Sequence, residues 1–389
     1  MRRKEIDYIL LKMLEYKKNL SDLNFTPGKP IQVESDGELM PVRMQPNFSC
    51  LTAFQTEIIA LNLINNNREL TETLIKRGSC DFSHQLKDGV RFRVNVFSRS
   101  SKYSIAMRKL ETRIPTIKEL NLPEVFFQMS EEKNGLLFVT GATGVGKSTS
   151  LAALLNQINE TKAYHIITLE DPIEFQHSQK KSTFNQRELA TDFDTFQSGL
   201  RAAMRQAPKV ILVGEMRDRE TIEIGLAAAE TGHLVVTTLH TADAGQTINR
   251  ILGMFSTEEE KLIRVRLADS LKWVVSQKLL PQTGGGRIAA FEVMCTSLRV
   301  KDSILHGEKE GNSYAEIIKQ GSARSMISFD EYIIRLYEKG LIEENTAHAY
   351  ATRKDIVGRG IDTIKSSRGE ATSDIESLEM DRGYRRSHQ

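Results

Sequence analysis

Cysteine is scarce in this chain. Cys50, Cys80 and Cys295 lie far apart and form no C-x-x-C pair. That argues against a zinc knuckle and a disulfide framework, and it suits a reducing, cytosolic setting. Long apolar runs are missing as well: nothing approaches the roughly 20 residues of a membrane span. The basic start, Met1-Arg-Arg-Lys4, is followed by Glu5, Asp7, Lys12 and Glu15. These interrupt any hydrophobic segment of a secretory leader, so membrane contact is expected only through a partner. Charge of one sign is also lacking, because 53 Lys and Arg against 51 Asp and Glu leave a formal net charge of +2. No whole-chain argument for nucleic acid follows. There is no internal repeat. What remains, 389 residues with 40% hydrophobic and 27% charged side chains, fits about two to three packed domains.

One segment dominates what is present. Gly141-Ala142-Thr143-Gly144-Val145-Gly146-Lys147-Ser148, with Thr149 after it, follows an apolar strand-like stretch from Leu136 to Val139. It precedes a helical pattern of Leu151, Leu154, Leu155 and Ile158. This is G-x-x-x-x-G-K-S in its strand–loop–helix setting. Glycines let backbone N–H groups turn inward around a phosphate, and the positive end of the next helix adds to that field. Lys147 places charge on the β- and γ-phosphates, and Ser148 offers its hydroxyl to Mg²⁺. A nucleoside triphosphate is the expected ligand.

Periodicity divides the chain. Ile6, Ile9, Leu10, Met13 and Leu14 recur with a helical period. Leu23 to Gly37 reads as strand, turn, strand, and a helix is expected near Phe54 to Asn65. Cys80 to Phe97 reads as a hairpin turning at Lys87-Asp-Gly89, with Phe92, Val94 and Val96 alternating against Arg91, Arg93 and Asn95. This first unit is a small α+β domain, followed by a connector broken by Pro115 and Pro123. From Gly135, strands (136–140, 164–169, 210–214, 234–239, 287–293) alternate with helices, which predicts a mostly parallel sheet and an α/β fold. The region after 297 reads as helical. The expected division is 1–112, a linker at 113–123, an ATPase unit at 124–365 with a helical C-terminal region, and a flexible charged tail at 366–389.

Three further constellations carry chemistry. Ile166 to Phe175 reads as a strand ending in Glu170, Asp171 and Glu174, at the edge where open α/β sheets bind ligands. One carboxylate there suits polarising an attacking water. Val210 to Val213 is a continuous apolar run, as buried parallel strands are, and leads to Gly214 and Glu215. The glycine cannot ligate metal where many P-loop enzymes carry Asp, which leaves Glu215 to act on Mg²⁺ through water or on the nucleophile. Thr231 to Thr241 carries His233 and His240 at the two ends of a strand, and His240 is placed to sense a γ-phosphate. Separately, residues 87–113 hold eight basic side chains opposed only by Asp88 and Glu111. The readings are a solvated strand face, a nucleic-acid surface, or arginines reaching a nucleotide held by the next domain.

Together these residues resemble the secretion ATPase superfamily, the motors of type II and type IV secretion and of type IV pili. The similarity is greatest to the pilus retraction type (PilT- and PilU-like proteins) and runs from about Leu20 to Tyr350. It rests on Gly141–Thr149, an aspartate box Thr168–Phe175, Asn185-Gln-Arg-Glu188, a Walker B segment Val213–Asp218 and a histidine box Thr231–Thr241. The resemblance implies a PAS-like domain before a RecA-like ATPase domain, a homohexamer, and ATP with Mg²⁺ held between domains. By motif position it gives catalytic roles to Glu174, Glu215 and His240, and it places Arg91, Arg93 and Arg108 among N-terminal arginines that reach phosphates. Ser148 and Glu215 would serve the metal. It further implies a cytoplasmic ATPase, peripheral at the inner membrane through a pilus platform protein, that powers pilus retraction and twitching. A paralogous retraction ATPase is a second implied partner, and no nucleic acid is expected. No tetracysteine zinc motif of the assembly type is present. Arg299-Val-Lys-Asp-Ser-Ile304 stands where retraction motors carry Ala-Ile-Arg-Asn-Leu-Ile. The alternatives are a secretion or conjugation ATPase and an accessory PilU-like ring subunit.

Overall fold

The structure, a computed structural model, describes residues 3–17, 20–35, 38–44, 49–87, 89–110 and 113–370. Asp88, Glu111 and most of the expected tail (371–389) lie outside the described residues.

The first unit contains helix α1 (Arg3–Leu14), strands β1 (Leu20–Phe25), β2 (Gln32–Ser35) and β3 (Glu38–Pro41), helices α2 (Ala53–Ile64) and α3 (Arg68–Arg77), and strands β4 (Ser79–Gln85), β5 (Arg91–Arg99) and β6 (Lys102–Leu110). The strands form one sheet in the order β3-β2-β1-β6-β5-β4, antiparallel throughout. Period-2 alternation explains its two faces. Phe92, Val94 and Val96 are buried with Ile105 and Met107 against helical residues such as Leu10, Ile59 and Leu63, while Arg93 faces outward. A capping box holds the start of α2: the Thr52 hydroxyl accepts from Gln55 N–H, and the Gln55 amide oxygen accepts from Thr52 N–H, worth about 1 kcal/mol.

The second unit contains α4 (Val125–Ser130), β7 (Gly135–Thr140), α5 (Lys147–Thr161), β8 (His165–Glu170), β9 (Thr183–Glu188), α6 (Phe196–Met204), β10 (Val210–Val213), α7 (Arg219–Glu230), β11 (Leu234–Leu239), α8 (Ala244–Leu252), α9 (Thr257–Ser270), β12 (Leu271–Pro281) and β13 (Arg287–Cys295). Its sheet runs β13-β12-β7-β11-β10-β8-β9, parallel except for β13, which pairs antiparallel with β12. Strands β7, β10 and β11 are buried along their whole length, as helices on both faces require. Each of their Val, Leu, Ile and Phe side chains contributes about 1.5–3 kcal/mol by burial. Ile117 and Leu122 of the connector belong to this core.

Helices α10 (Leu298–His306), α11 (Tyr314–Gln320), α12 (Phe329–Glu338), α13 (Glu344–Tyr350) and α14 (Lys354–Arg368) complete the chain. A separate apolar cluster joins Phe329, Ile333, Leu336, Val357 and Ile361 to Leu280 and Ile288 at the far ends of β12 and β13. Helix α14 includes residues 366–368, which the sequence reading put in the tail. Among the described residues, no helix is long and apolar enough to cross a membrane.

Candidate functional site

The sheet order gathers the motifs. The P-loop strand β7 and the Walker B strand β10 are separated by β11, and the aspartate-box strand β8 lies beyond β10. All four are parallel, so their carboxyl ends share one edge, where such sheets bind ligands. A cleft of about 1050 Å³ opens there. Thr143, Gly144, Gly146, Lys147, Ser148 and Thr149 line it, with Glu174, Glu215, His240 and Arg93. Residues 119–122 of the connector form part of its wall.

Backbone geometry shapes the P-loop. Gly141 has φ +139°, and a Cβ built on it would lie 2.4 Å from the carbonyl oxygen of Gln277. Gly144 has φ +80°, with nothing within 4 Å of an added Cβ. The first glycine allows close packing on β12, and the second supplies the left-handed turn. Gly141, Ala142 and Val145 do not line the cleft; they hold the loop. Lys147 Nζ donates to Gly141 O and Ala142 O at 2.8 Å each. The lysine is buried, which pulls its pKa below the usual range, while the carboxylates of Glu215 and Glu174 oppose that fall. The buried Gln277 of β12 donates through Nε2 to Val145 O at 2.7 Å and accepts from Ser150 Oγ at 2.9 Å. It clamps the loop to the sheet. Sequence reasoning missed Gln277 together with its strand. The polar trio Ser276-Gln277-Lys278 between two apolar pairs was the available signal.

The acidic side is built by β8, β9 and β10. Glu215 follows Gly214 after β10 and forms an ion pair with Arg217, with His240 Nε2 3.6 Å away. Burial and the Lys147 ammonium hold the His240 imidazole below the usual His range. Glu170 accepts from Thr168 Oγ1 at 2.6 Å and from Gln186 Nε2 at 3.0 Å, and burial raises its pKa to about 7. Asp171 is raised by burial, with Arg93 acting against the shift. Gln186 of β9 also donates to Phe175 O at 2.8 Å and accepts from His177 N–H at 2.8 Å. It therefore holds the loop that presents Glu174.

Of the three arginines expected at phosphates, only Arg93 lines the cleft. Its Nε lies 3.8 Å from Asp81. Arg91 instead meets buried Glu188, with Nη2 to Oε2 at 3.5 Å. Arg108 pairs with Asp22 at 2.9 Å and is 69% exposed. The physical reason is the register. Arg93 sits opposite Arg108 across β5 and β6, so the two guanidiniums diverge to separate carboxylates. Among the described residues, no three or more His, Cys, Asp or Glu side chains gather to hold a metal by themselves. The oxygen donors of Ser148 and Glu215 line the cleft and fit Mg²⁺, which takes one or two protein oxygens alongside phosphates and water.

The model for the type II/IV secretion system protein family matches residues 21–358. The chain belongs to that family. Among its secretion-family relatives, the type IV pilus retractation ATPase PilT of Pseudomonas aeruginosa is 39% identical over 340 residues, covering 86% of this chain and 95% of PilT. The type IV pilus ATPase PilU of the same organism is 36% identical over 348 residues, covering 89% of this chain and 88% of PilU. A crystal structure of the pilus retraction motor PilT with bound ADP superimposes with a TM-score of 0.81 at 36% identity, covering 91% of this chain and 99% of that one. The expected fold class therefore stands: a RecA-like α/β domain behind a small PAS-like α+β domain.

Proposed function

We propose that this secretion-family chain is a Mg²⁺-dependent ATPase that works as a homohexamer and powers type IV pilus retraction, and so twitching. The observation that carries the reading is the convergence of Lys147, Ser148, Glu174 and Glu215 on one cleft in a chain so similar to PilT along nearly its whole length. Lys147 and the amides of Gly144 and Gly146 bind phosphate. Ser148 and Glu215 would hold Mg²⁺, which would supply charge neutralisation to the bound triphosphate. Glu174 orients and polarises the attacking water. His240, beside Glu215, reads the γ-phosphate, and Arg93 reaches across from the N-terminal domain to the developing charge. Loss of the γ-phosphate then removes contacts made only in one state, which drives the domains apart. Residues 1–112 are the PAS-like unit, 113–123 the linker, and the ATPase unit begins at 124, its helical end running to Arg368. The partners are other copies, a platform protein at the inner membrane, and a paralogous retraction ATPase; the chain itself is cytoplasmic.

Deleting the gene and scoring surface pili tests the load. Excess filaments that fail to retract support retraction, and bald cells refute it. Purified protein should hydrolyse ATP and lose that activity in Lys147→Ala. A wild-type chain with no turnover of its own, stimulated by a second motor, would support the accessory-subunit reading instead.

A further inference from the structure

The ties between the two sheets concentrate on one buried carboxylate. Glu188 ends β9 in register with Glu170, and only 6% of it is exposed. Its Oε1 accepts from Ser83 N–H at 3.1 Å, and the Ser83 hydroxyl donates to Oε2. Arg91 Nη2 approaches Oε2 at 3.5 Å. Those donors belong to β4 and β5 of the N-terminal sheet. The remaining donor is the Ile173 N–H, at 3.2 Å from Oε2, in the aspartate box next to Glu174. On the other side of Glu174, Gln85 Nε2 of β4 donates to Gln176 Oε1 at 3.2 Å. Two ties from one edge strand thus bracket the residue proposed to orient water.

We infer that Glu188 is a positioning residue that couples the placement of the N-terminal sheet to that of Glu174, acting through Ile173. The role rests on the ATP-hydrolysis reading above. Hydrogen bonds converging on one buried carboxyl group are directional, so displacement at Ser83 is transmitted to the Ile173 amide rather than dissipated. Strand β5 serves both ends. Arg91 meets Glu188, and Arg93 on the same strand face lines the cleft. One movement of that strand therefore shifts the arginine toward the reacting phosphate and the water-orienting loop together. The pair also has slack: Arg91 Nε is buried with no acceptor among the described residues, and its Nη2 contact is longer than a closed charge-assisted bond of about 2.7–2.9 Å. A closer approach of the two sheets has contacts left to gain.

The test uses the full-length chain with Ser83→Ala, which alters only the N-terminal side, and Ser83→Thr, which keeps the hydroxyl. Amide hydrogen exchange over residues 171–176 should rise about ten-fold in Ser83→Ala, the loss expected for one hydrogen bond to a charged group. The kcat for ATP should fall about five-fold or more with KM little changed, as expected when the reacting geometry loosens but binding does not. Ser83→Thr should restore both. Exchange at 171–176 unchanged in Ser83→Ala, or raised evenly through both domains, overturns the coupling. So does turnover equal to wild type. If wild type and Lys147→Ala are equally inactive, the ATPase reading fails and this role falls with it. If wild type hydrolyses ATP and Ser83→Ala matches it, the coupling alone fails.

Discussion

Replacing Gly141 by alanine should damage the P-loop far more than the same change at Gly144. At φ +139° an L side chain is strained, by about 1–3 kcal/mol. The new Cβ would also stand 2.4 Å from Gln277 O and 3.0 Å from Val145 Cγ2. Gln277 O belongs to the backbone of β12, which is fixed between β7 and β13, so the loop must yield rather than the strand. Overpacking of that kind costs about 1–3 kcal/mol. Moving the loop away also stretches the 2.7 Å bond from Gln277 Nε2 to Val145 O, worth about 1 kcal/mol. The sum is about 3–7 kcal/mol. Gly144→Ala meets nothing within 4 Å and carries only the left-handed penalty of about 1–2 kcal/mol. At about 2–4 °C per kcal/mol for a domain of this size, the difference of about 2–5 kcal/mol should put the Gly141 variant roughly 4–20 °C below the Gly144 variant. Thermal unfolding followed by circular dichroism reads this directly, and titration with a fluorescent ATP analogue should show the larger affinity loss in Gly141→Ala. Coincident melting curves for the two variants would refute the argument from steric overlap.

Two further outcomes follow from the cleft. Glu215→Ala should bind ATP but release phosphate at least about 100-fold more slowly, the scale of a lost acid–base or charge-orienting group; rapid phosphate release in a single-turnover assay would contradict its role. Burial raises the Glu170 pKa from 4.5 to about 7, so the fold favours its neutral form. Stability from this group is full below the ordinary carboxyl pKa and is lost as pH rises toward the folded value. The melting temperature of wild type minus that of Glu170→Gln should therefore fall between pH 5 and 8, and parallel curves would count against a buried, neutral Glu170.

How much of this was legible in the sequence follows from which residues face apolar neighbours. Strands β7, β10 and β11 are buried along their length, so their apolar runs announced them, and the glycines and Lys147 fixed the loop between β7 and α5. Strand β12 escaped notice because α9 ends at Ser270 and β12 begins at Leu271 with no glycine or proline between them. Its buried Ser276 and Gln277 also interrupt the apolar pattern: Ser276 Oγ accepts from Thr140 Oγ1 at the end of β7, and Gln277 holds the P-loop. Strand β9, Thr-Phe-Asn-Gln-Arg-Glu, is an edge strand whose polar side chains hold the aspartate-box loop and the N-terminal sheet, so it carries little hydrophobic signal. Strand β6 lies at the centre of the first sheet, yet it was read only as part of a cationic stretch. The arginines show the limit of motif position. Alternation put Arg91 and Arg93 on one strand face, but Arg93 meets Asp81 of the neighbouring β4, while Arg91 meets Glu188 of a second sheet more than 90 residues away.

Residues 119–122 form one jamb of the cleft's doorway, and Leu122 roots that jamb in the core of the second unit. A jamb set in a packed core keeps its opening to one shape for as long as the core holds. On the ATPase reading proposed above, loosening it should disturb admission of fuel and escape of spent product together.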